Sequence, residues 1–402
     1  DRSEGAEVGL RVLVSQRQAI VSSSDISDAT LELMVERAIA MAKDAPQDKH
    51  AGLASVNQLA KQRDLSELEI CDPATEPSPN KLQEQAEIAE SSAMEVVGVS
   101  QVSGASASYG KYSVFMAASN GFTANYDRSS NSVSCVAIAG EGSGMERDYD
   151  ADTRVYQSDL RPSDEIGRTA GLRAVERLNP RRPATGNYPV IYDERISSGL
   201  VGHFLSAING AAITRGSSWL KDSLGEQVLP RTCKLVENPH RLRAGASRLF
   251  DSEGLTTKKR EILSKGVLNG WTLDLASARK LGMRPTGNAS RSVSSNPSPT
   301  NWNIELSSPE DYCNDLLSEM RNGLLVTSLI GSTINPNTGD YSRGVSGFWV
   351  EDGQICYPVS EITIAGNLRD MLKKIILGND AQRHLSYVVP SILVEDMTLA
   401  GS

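Results

Sequence analysis

Four histidines in 402 residues, His50, His203, His240 and His384, limit the imidazole chemistry open to this chain. His203 stands out, because it lies inside the apolar run "RISSGLVGHFLSAINGAA" from Arg195 to Ala212. Metal-assisted hydrolysis needs two or three nitrogen or thiolate ligands and a carboxylate to take the water proton. A helical H-E-x-x-H would place both imidazoles on one face, and the chain has none. His50 follows the first helical pattern in a polar connector, and His240 follows Pro239 at a turn, so both are expected to be exposed. His384, in "NDAQRHLSYVV", reads as a surface or loop residue. A lone histidine on an apolar helix, as at His203, is more often packed or hydrogen-bonded in a core than bound to an ion.

Other chemistries find less support. There is no G-x-x-x-x-G-K-[ST] loop, and no G-x-G-x-x-G opens a helix after a strand. "GEGSG" at Gly140–Gly144 bridges two strand patterns and reads as a turn. Without a G-x-S-x-G elbow, a serine nucleophile could only be served by distant pairing with His203, His240 or His384. The five cysteines, Cys71, Cys135, Cys233, Cys313 and Cys356, are odd in number and form no C-x-x-C pair. Reduced structural thiols in a cytoplasmic protein are the expectation. The net charge of −9 is spread without a basic stripe, so direct nucleic-acid binding is not expected. Lys258-Lys259-Arg260, beside Glu261, reads as a solvated loop or helix end. No apolar run approaches the roughly 20 residues that span a bilayer, so no membrane association is expected.

The elements that would position these residues fall into two domains, 1–183 and 184–402, divided by "NPRRPATGNYP". In the first, Val8 to Val14 and Ala19 to Ser23 form a hairpin turning at Gln16-Arg17-Gln18. A helix behind Ser27 or Asp28 carries Leu31, Met34, Val35, Ala38, Ile39 and Ala42 on one face. The connector "CDPATEPSPN" leads to a second helix, "KLQEQAEIAESSAM". A meander of about four antiparallel strands follows, with a type I′ turn at Asn120-Gly121, and then a helix from Ser163 to Leu178. The chain begins at Asp1 in mid-pattern, and a leading segment of this domain is expected before it.

The second domain reads as many short strands with few helices, a barrel or sandwich. Helical spacing survives around Ser197–Ala212, around Pro309–Asn322 and in "NLRDMLKKIILG". "GFWVEDGQICYPV" is a hairpin turning at Asp352-Gly353, and Thr286 to Asn301 is a polar loop long enough to be functional. The fold class expected is α+β.

"SSGLVGHFLSAINGAAI", "GSSWLKDSLGEQV", "PTGNASR", the long run from Ile334 through Leu372 and "PSILVEDMTLAG" together resemble the TldD/PmbA family, specifically its PmbA branch, also called TldE. The resemblance covers nearly the whole chain. It implies an N-terminal α/β domain, with a mixed or antiparallel sheet and helices, followed by a domain on a curved, barrel-like antiparallel sheet. TldD-type members carry an H-E-x-x-x-H helix and a cysteine near the C-terminus. Those positions fall here on Ser198, Gly199 and His203, and no cysteine follows Gly378-Asn379-Asp380.

The implied role is a metal-free subunit of a TldD/TldE zinc peptidase that degrades or matures unfolded peptides. Zinc is expected in the TldD-type partner, none in this chain, and activity only with that partner. Two-fold dimers, with the partner or with a second copy, would enclose a chamber. Asn288 and Arg291 are candidates to line the peptide channel, or else belong to a solvated loop. The competing readings are a stand-alone regulatory protein of the DNA gyrase modulator type and a self-sufficient peptidase using His203 and His384.

Overall fold

The computed structural model describes residues 2–308 and 315–401 of the chain. Strands β1 (Val8–Val14) and β2 (Arg17–Ser23) pair as an antiparallel hairpin. Ser15 and Gln16 at its tip have φ of 48° and 63°, as a two-residue type I′ turn requires. The turn thus lies one residue earlier than the polar triplet suggested, and Arg17 and Gln18 belong to β2. Helix α1 (Asp28–Asp44) packs on the hairpin and buries Met34, Ala38 and Ala42, spaced one turn apart.

After a long connector, α2 (Pro79–Met94) starts on Ser78, whose hydroxyl accepts from the Lys81 N–H. Strands β3 (Val99–Ala117), β4 (Thr123–Ala139) and β5 (Glu146–Arg154) form a three-stranded antiparallel sheet, and α3 (Ser163–Glu176) follows. Three strands stand where about four were expected, because β3 and β4 run unbroken for 19 and 17 residues. Helices α2 and α3 bury Ala89, Ala93, Ile166, Ala170 and Ala174 against Val133, Cys135 and Ala137 of β4. The helices touch so closely at Gly167 that a Cβ there would lie 1.9 Å from the Ala89 carbonyl oxygen.

The Asn120-Gly121 turn departs from type I′. Only Gly121 has positive φ, 89°, and its N–H donates to the Ala118 carbonyl while Ala118 N–H donates to Phe122. That is a three-residue loop with a glycine bulge. The Asn120 side chain is used at long range, donating to the Ala54 carbonyl at 3.0 Å.

The second half begins with β6 (Gly186–Tyr192), α4 (Glu194–Ala207) and α5 (Gly210–Arg215). It continues through β7 (Lys234–Glu237), β8 (Arg260–Ser264), β9 (Val267–Leu268) and α6 (Leu275–Leu281). A small hairpin, β10 (Ala289–Ser290) with β11 (Ser298–Pro299), lies inside the polar loop predicted there. Next come β12 (Ile304–Ser307) and α7 (Leu316–Met320). Part of the helix expected over Pro309–Asn322, with Cys313, lies outside the described residues.

The chain then forms β13 (Gly323–Ile334), β14 (Asp340–Glu351), β15 (Gln354–Asn367), α8 (Leu368–Lys373), β16 (Ile375–Leu377), β17 (Tyr387–Val388) and β18 (Ile392–Ala400). Asp352 and Gly353, with φ of 48° and 76°, make the β14–β15 turn.

Strands β6, β13, β14, β15 and β18 close on one another, because β15 and β18 also pair, and the result is a five-stranded barrel. Its pairings are antiparallel except β6 with β13, which is parallel. Register shifts at Val326/Ser328, Val345/Gly347 and Val394/Met397 supply the bends that closure needs. Tyr192, Val326, Val345, Ile364 and Met397 belong to its core together with Leu200, Val201 and Phe204 of α4. A second sheet, ordered β17-β12-β7-β8-β9, shares that core. Among the described residues no helix is long and apolar enough to cross a membrane.

Candidate functional site

Helix α4 starts at Asp193, whose carboxylate accepts from the Arg195 N–H at 3.0 Å. Leu200, Val201, Phe204 and Leu205 bury one face in the barrel core, and Ser198, Gly199, Gly202 and His203 are left half open on the other. The His203 ring meets Tyr341 of β14 edge to face, with centroids 6.1 Å apart. Burial pushes the imidazole below its ordinary pKa, and the Arg343 guanidinium pushes the same way. The neutral ring is therefore favoured. Tyr341 shares a hydrogen bond with the hydroxyl of Tyr192, which itself lies 3.5 Å from the Met397 sulfur. The buried Nε of Arg343 has no hydrogen-bond partner. At Gly199 a Cβ would meet no heavy atom within 4 Å, so this position of the helix faces open space.

This donor set does not fit a zinc ion. Ser198 and Gly199 provide neither imidazole nor carboxylate, and the nearby charge is a guanidinium, which repels a cation. His384 is engaged elsewhere, its Nε2 3.4 Å from Asp152 of β5. No group of three His, Cys, Asp or Glu side chains among the described residues is arranged to hold a metal. Of the other histidines, His240 is exposed, with Nε2 3.2 Å from the Thr257 hydroxyl. His50 is half-buried rather than exposed, because Arg279 of α6 reaches over to its carbonyl.

What holds α4 in place is a row of aspartates on β5. Asp148, Asp150 and Asp152 alternate along the strand on one buried face. Asp148 accepts from Arg177 at 3.1 Å and from Arg195 of α4 at 3.2 Å, and Arg177 also donates to Ser346 of β14. Asp150 takes Arg161 and Arg173 at 2.6 and 2.8 Å. Burial opposes the charge on Asp152. Hydrogen bonds from His384, the Arg161 N–H and Arg154 outweigh it, and the carboxyl is held well below its ordinary range. Sequence reasoning passed over this row. Acids at every second strand position, with Arg173 in the last turn of the next helix and Arg177 at its C-cap, were the available signal.

The two loop candidates occupy different surroundings. Asn288 is 1% exposed and donates to Glu237 Oε1 and to the Thr300 carbonyl, both at 2.8 Å. Glu237, itself buried, also pairs with Arg260 and accepts from the Trp302 N–H. Arg291 is half-buried and lines a cavity of about 630 Å³ between β1, the connector at 51–54, the β3–β4 tip and α6.

Comparison with known proteins bears on this arrangement. The chain matches the PmbA/TldA metallopeptidase domain 1 over residues 1–42, the central domain over 71–178 and the C-terminal domain over 185–401. It is 39% identical to the metalloprotease PmbA of Escherichia coli O157:H7 across 99% of this chain and 86% of that protein. Among solved structures it resembles a Bacteroides thetaiotaomicron protein described as a candidate modulator of DNA gyrase, with TM-score 0.88 and 28% identity over 98% of this chain and 88% of that one. TldE of Thermococcus kodakarensis shares the fold, with TM-score 0.82 and 19% identity over 98% and 94% of the two chains.

Proposed function

The chain belongs to the PmbA/TldD metallopeptidase family, in its PmbA branch, and from that premise we propose that it is the metal-free subunit of a TldD/TldE-type zinc peptidase acting on unfolded peptides. The observation that carries this reading is α4 itself. It keeps the family's helix with one imidazole, has open space at Gly199, and sets a guanidinium rather than a carboxylate beside His203.

In such a complex this subunit forms chamber wall and dimer interface, and the partner's zinc performs the hydrolysis. A narrow chamber admits extended chains and rejects folded ones, and backbone pairing to strand edges holds peptides with little sequence preference. Cys71, Cys135, Cys233 and Cys356 are free thiols, which suits the reducing cytoplasm.

The test is cleavage of an unstructured peptide, with zinc supplied, by this chain alone, by a TldD-type partner alone and by the mixture. Activity of the mixture above that of the partner, with none from this chain, is the expected result. Cleavage by this chain alone, after contaminating protease is excluded, overturns it. The description of the Bacteroides relative keeps a regulatory reading in view. Association with gyrase in the absence of any TldD-type partner would favour that reading.

A further inference from the structure

The cavity at Arg291 is built from both halves of the chain and is held rigidly. Arg279 donates to the carbonyls of His50 and Leu53 at 2.9 and 2.7 Å, and Asn120 donates to that of Ala54, so the connector forms a fixed wall. On the opposite side Gly9 of β1 lies directly against the Val293 backbone, where a Cβ would be 2.1 Å from the carbonyl oxygen. That contact clamps the loop bearing Arg291 to the hairpin. At about 630 Å³ the space is of the size that holds small molecules or a short stretch of peptide.

Its lining combines an apolar floor, including Leu53, Met116 and Phe122, with three ionisable side chains, Arg11, Arg291 and Glu253. Arg11 is oriented by Gln18, whose amide oxygen accepts from Nε and Nη2 at 3.0 and 2.7 Å. Arg291 makes no hydrogen bond or ion pair among the described residues, and only the field of Glu253 offsets its charge. Burial pushes the Glu253 carboxyl up to about 8, and Asp251 adds to the effect, so this acid does not neutralise two guanidiniums near neutral pH. A partly desolvated, unpaired guanidinium over an apolar floor is half of an ion pair.

We propose that this cavity binds a carboxylate carrying an apolar group, with Arg291 and Arg11 on the carboxylate and Met116 and Phe122 around the apolar part. The C-terminal residue of an extended peptide is the source favoured here. β1 pairs with β2 along one edge only, and its backbone makes no other hydrogen bond among the described residues, so a peptide could lie beside it. This identification of the peptide end rests on the peptide-handling reading above. The carboxylate site itself does not.

The experiment is calorimetric titration of the purified chain, with neither partner nor zinc present. The probes are N-acetyl-Ala-Ala-Leu as the free acid, the same tripeptide as its C-terminal amide, and hexanoate. The acid is expected to bind at least about ten-fold more tightly than the amide, a difference of about 1.4 kcal/mol. Arg291→Gln should bring the acid down to the amide's affinity, and Arg291→Lys should recover part of the loss. Hexanoate binding as tightly as the tripeptide acid would support the carboxylate site while assigning it to small acids. Equal affinity for acid and amide in the parent chain, or no effect of Arg291→Gln, would overturn the proposal. Because no catalysis is read, a failed peptidase assay and a failed titration are separate results.

Discussion

Asp148 of β5 and Arg195 on the first turn of α4 are joined at 3.2 Å, so the helix that carries His203 is tethered to the sheet of the other half of the chain. The same carboxylate, with 5% of its side chain exposed, also holds Arg177, which reaches Ser346 in the barrel. Removing one partner from such a buried network strands the other charges, and this typically costs about 3–5 kcal/mol. Asp148→Asn should therefore lower the urea midpoint by an amount corresponding to that loss. A change below about 1 kcal/mol would show that the tether carries little of the stability.

The open face of α4 makes the opposite prediction. Gly199 sits in a helix interior with nothing near its missing Cβ. Gly199→Ala should then stabilise the isolated chain by about 0.5–1 kcal/mol, through the lower entropy of the unfolded state. If thermal unfolding shows the variant less stable as a monomer, the face is not open. If the monomer gains while the dimer weakens, the face lies in the dimer interface.

Gly167 is the converse case, since the Ala89 carbonyl occupies the space a side chain would need. Gly167→Ala should force α2 and α3 apart and cost about 1–3 kcal/mol, read as a lowered unfolding midpoint. An unchanged midpoint would mean that the helix pair yields without strain.

Glu253 gives a pH dependence with a definite sign. Its carboxyl ionises near 4.5 in the unfolded chain and near 8 when folded, among Asp251, Asp274 and Arg11. The unfolded state thus releases this proton first as pH rises. The group's contribution to stability is full below 4.5, falls across that window at up to about 1.4 kcal/mol per pH unit, and levels off above 8. Glu253→Gln keeps an acceptor for the Leu275 N–H and removes the ionisation. The variant should exceed the parent in stability at alkaline pH, with the gap closing toward acid. A gap independent of pH would contradict the assignment.

Much of this architecture could be read locally. Asp352-Gly353 adopts the turn its residue types favour, α1 buries Met34, Ala38 and Ala42 of the stripe its spacing marks while Val35 stays exposed, and the α+β class follows from the run of patterns. The departures share a cause, which is contact with distant chain. Asn120 gives up a type I′ turn to bind Ala54. His384 lies in a loop, as its surroundings suggest, but its partner, Asp152, lies too far back in sequence to be read locally. Asn288 belongs to the buried surroundings of Glu237, and only Arg291 of the loop pair faces a cavity. The Asp148 row escaped notice because its meaning depends on arginines from three separate elements. Gly199, whose significance is the space around it, could be placed by resemblance alone.

Closure of the barrel has a further consequence for self-association. Its five strands each pair with two neighbours, which leaves an unpaired side only on the three-residue β16, on β13 beyond Val326 and on β15 before Thr363. The outermost strands of the adjoining sheet, β17 and β9, are two residues each, too short to recruit a foreign strand effectively. Longer whole strands with one unpaired side are β1, β2, β3 and β5, all in the first 154 residues. The molecule thus divides its open strand edges unevenly, with whole strands open on one side in the first 154 residues and mainly strand ends open in the C-terminal sheet.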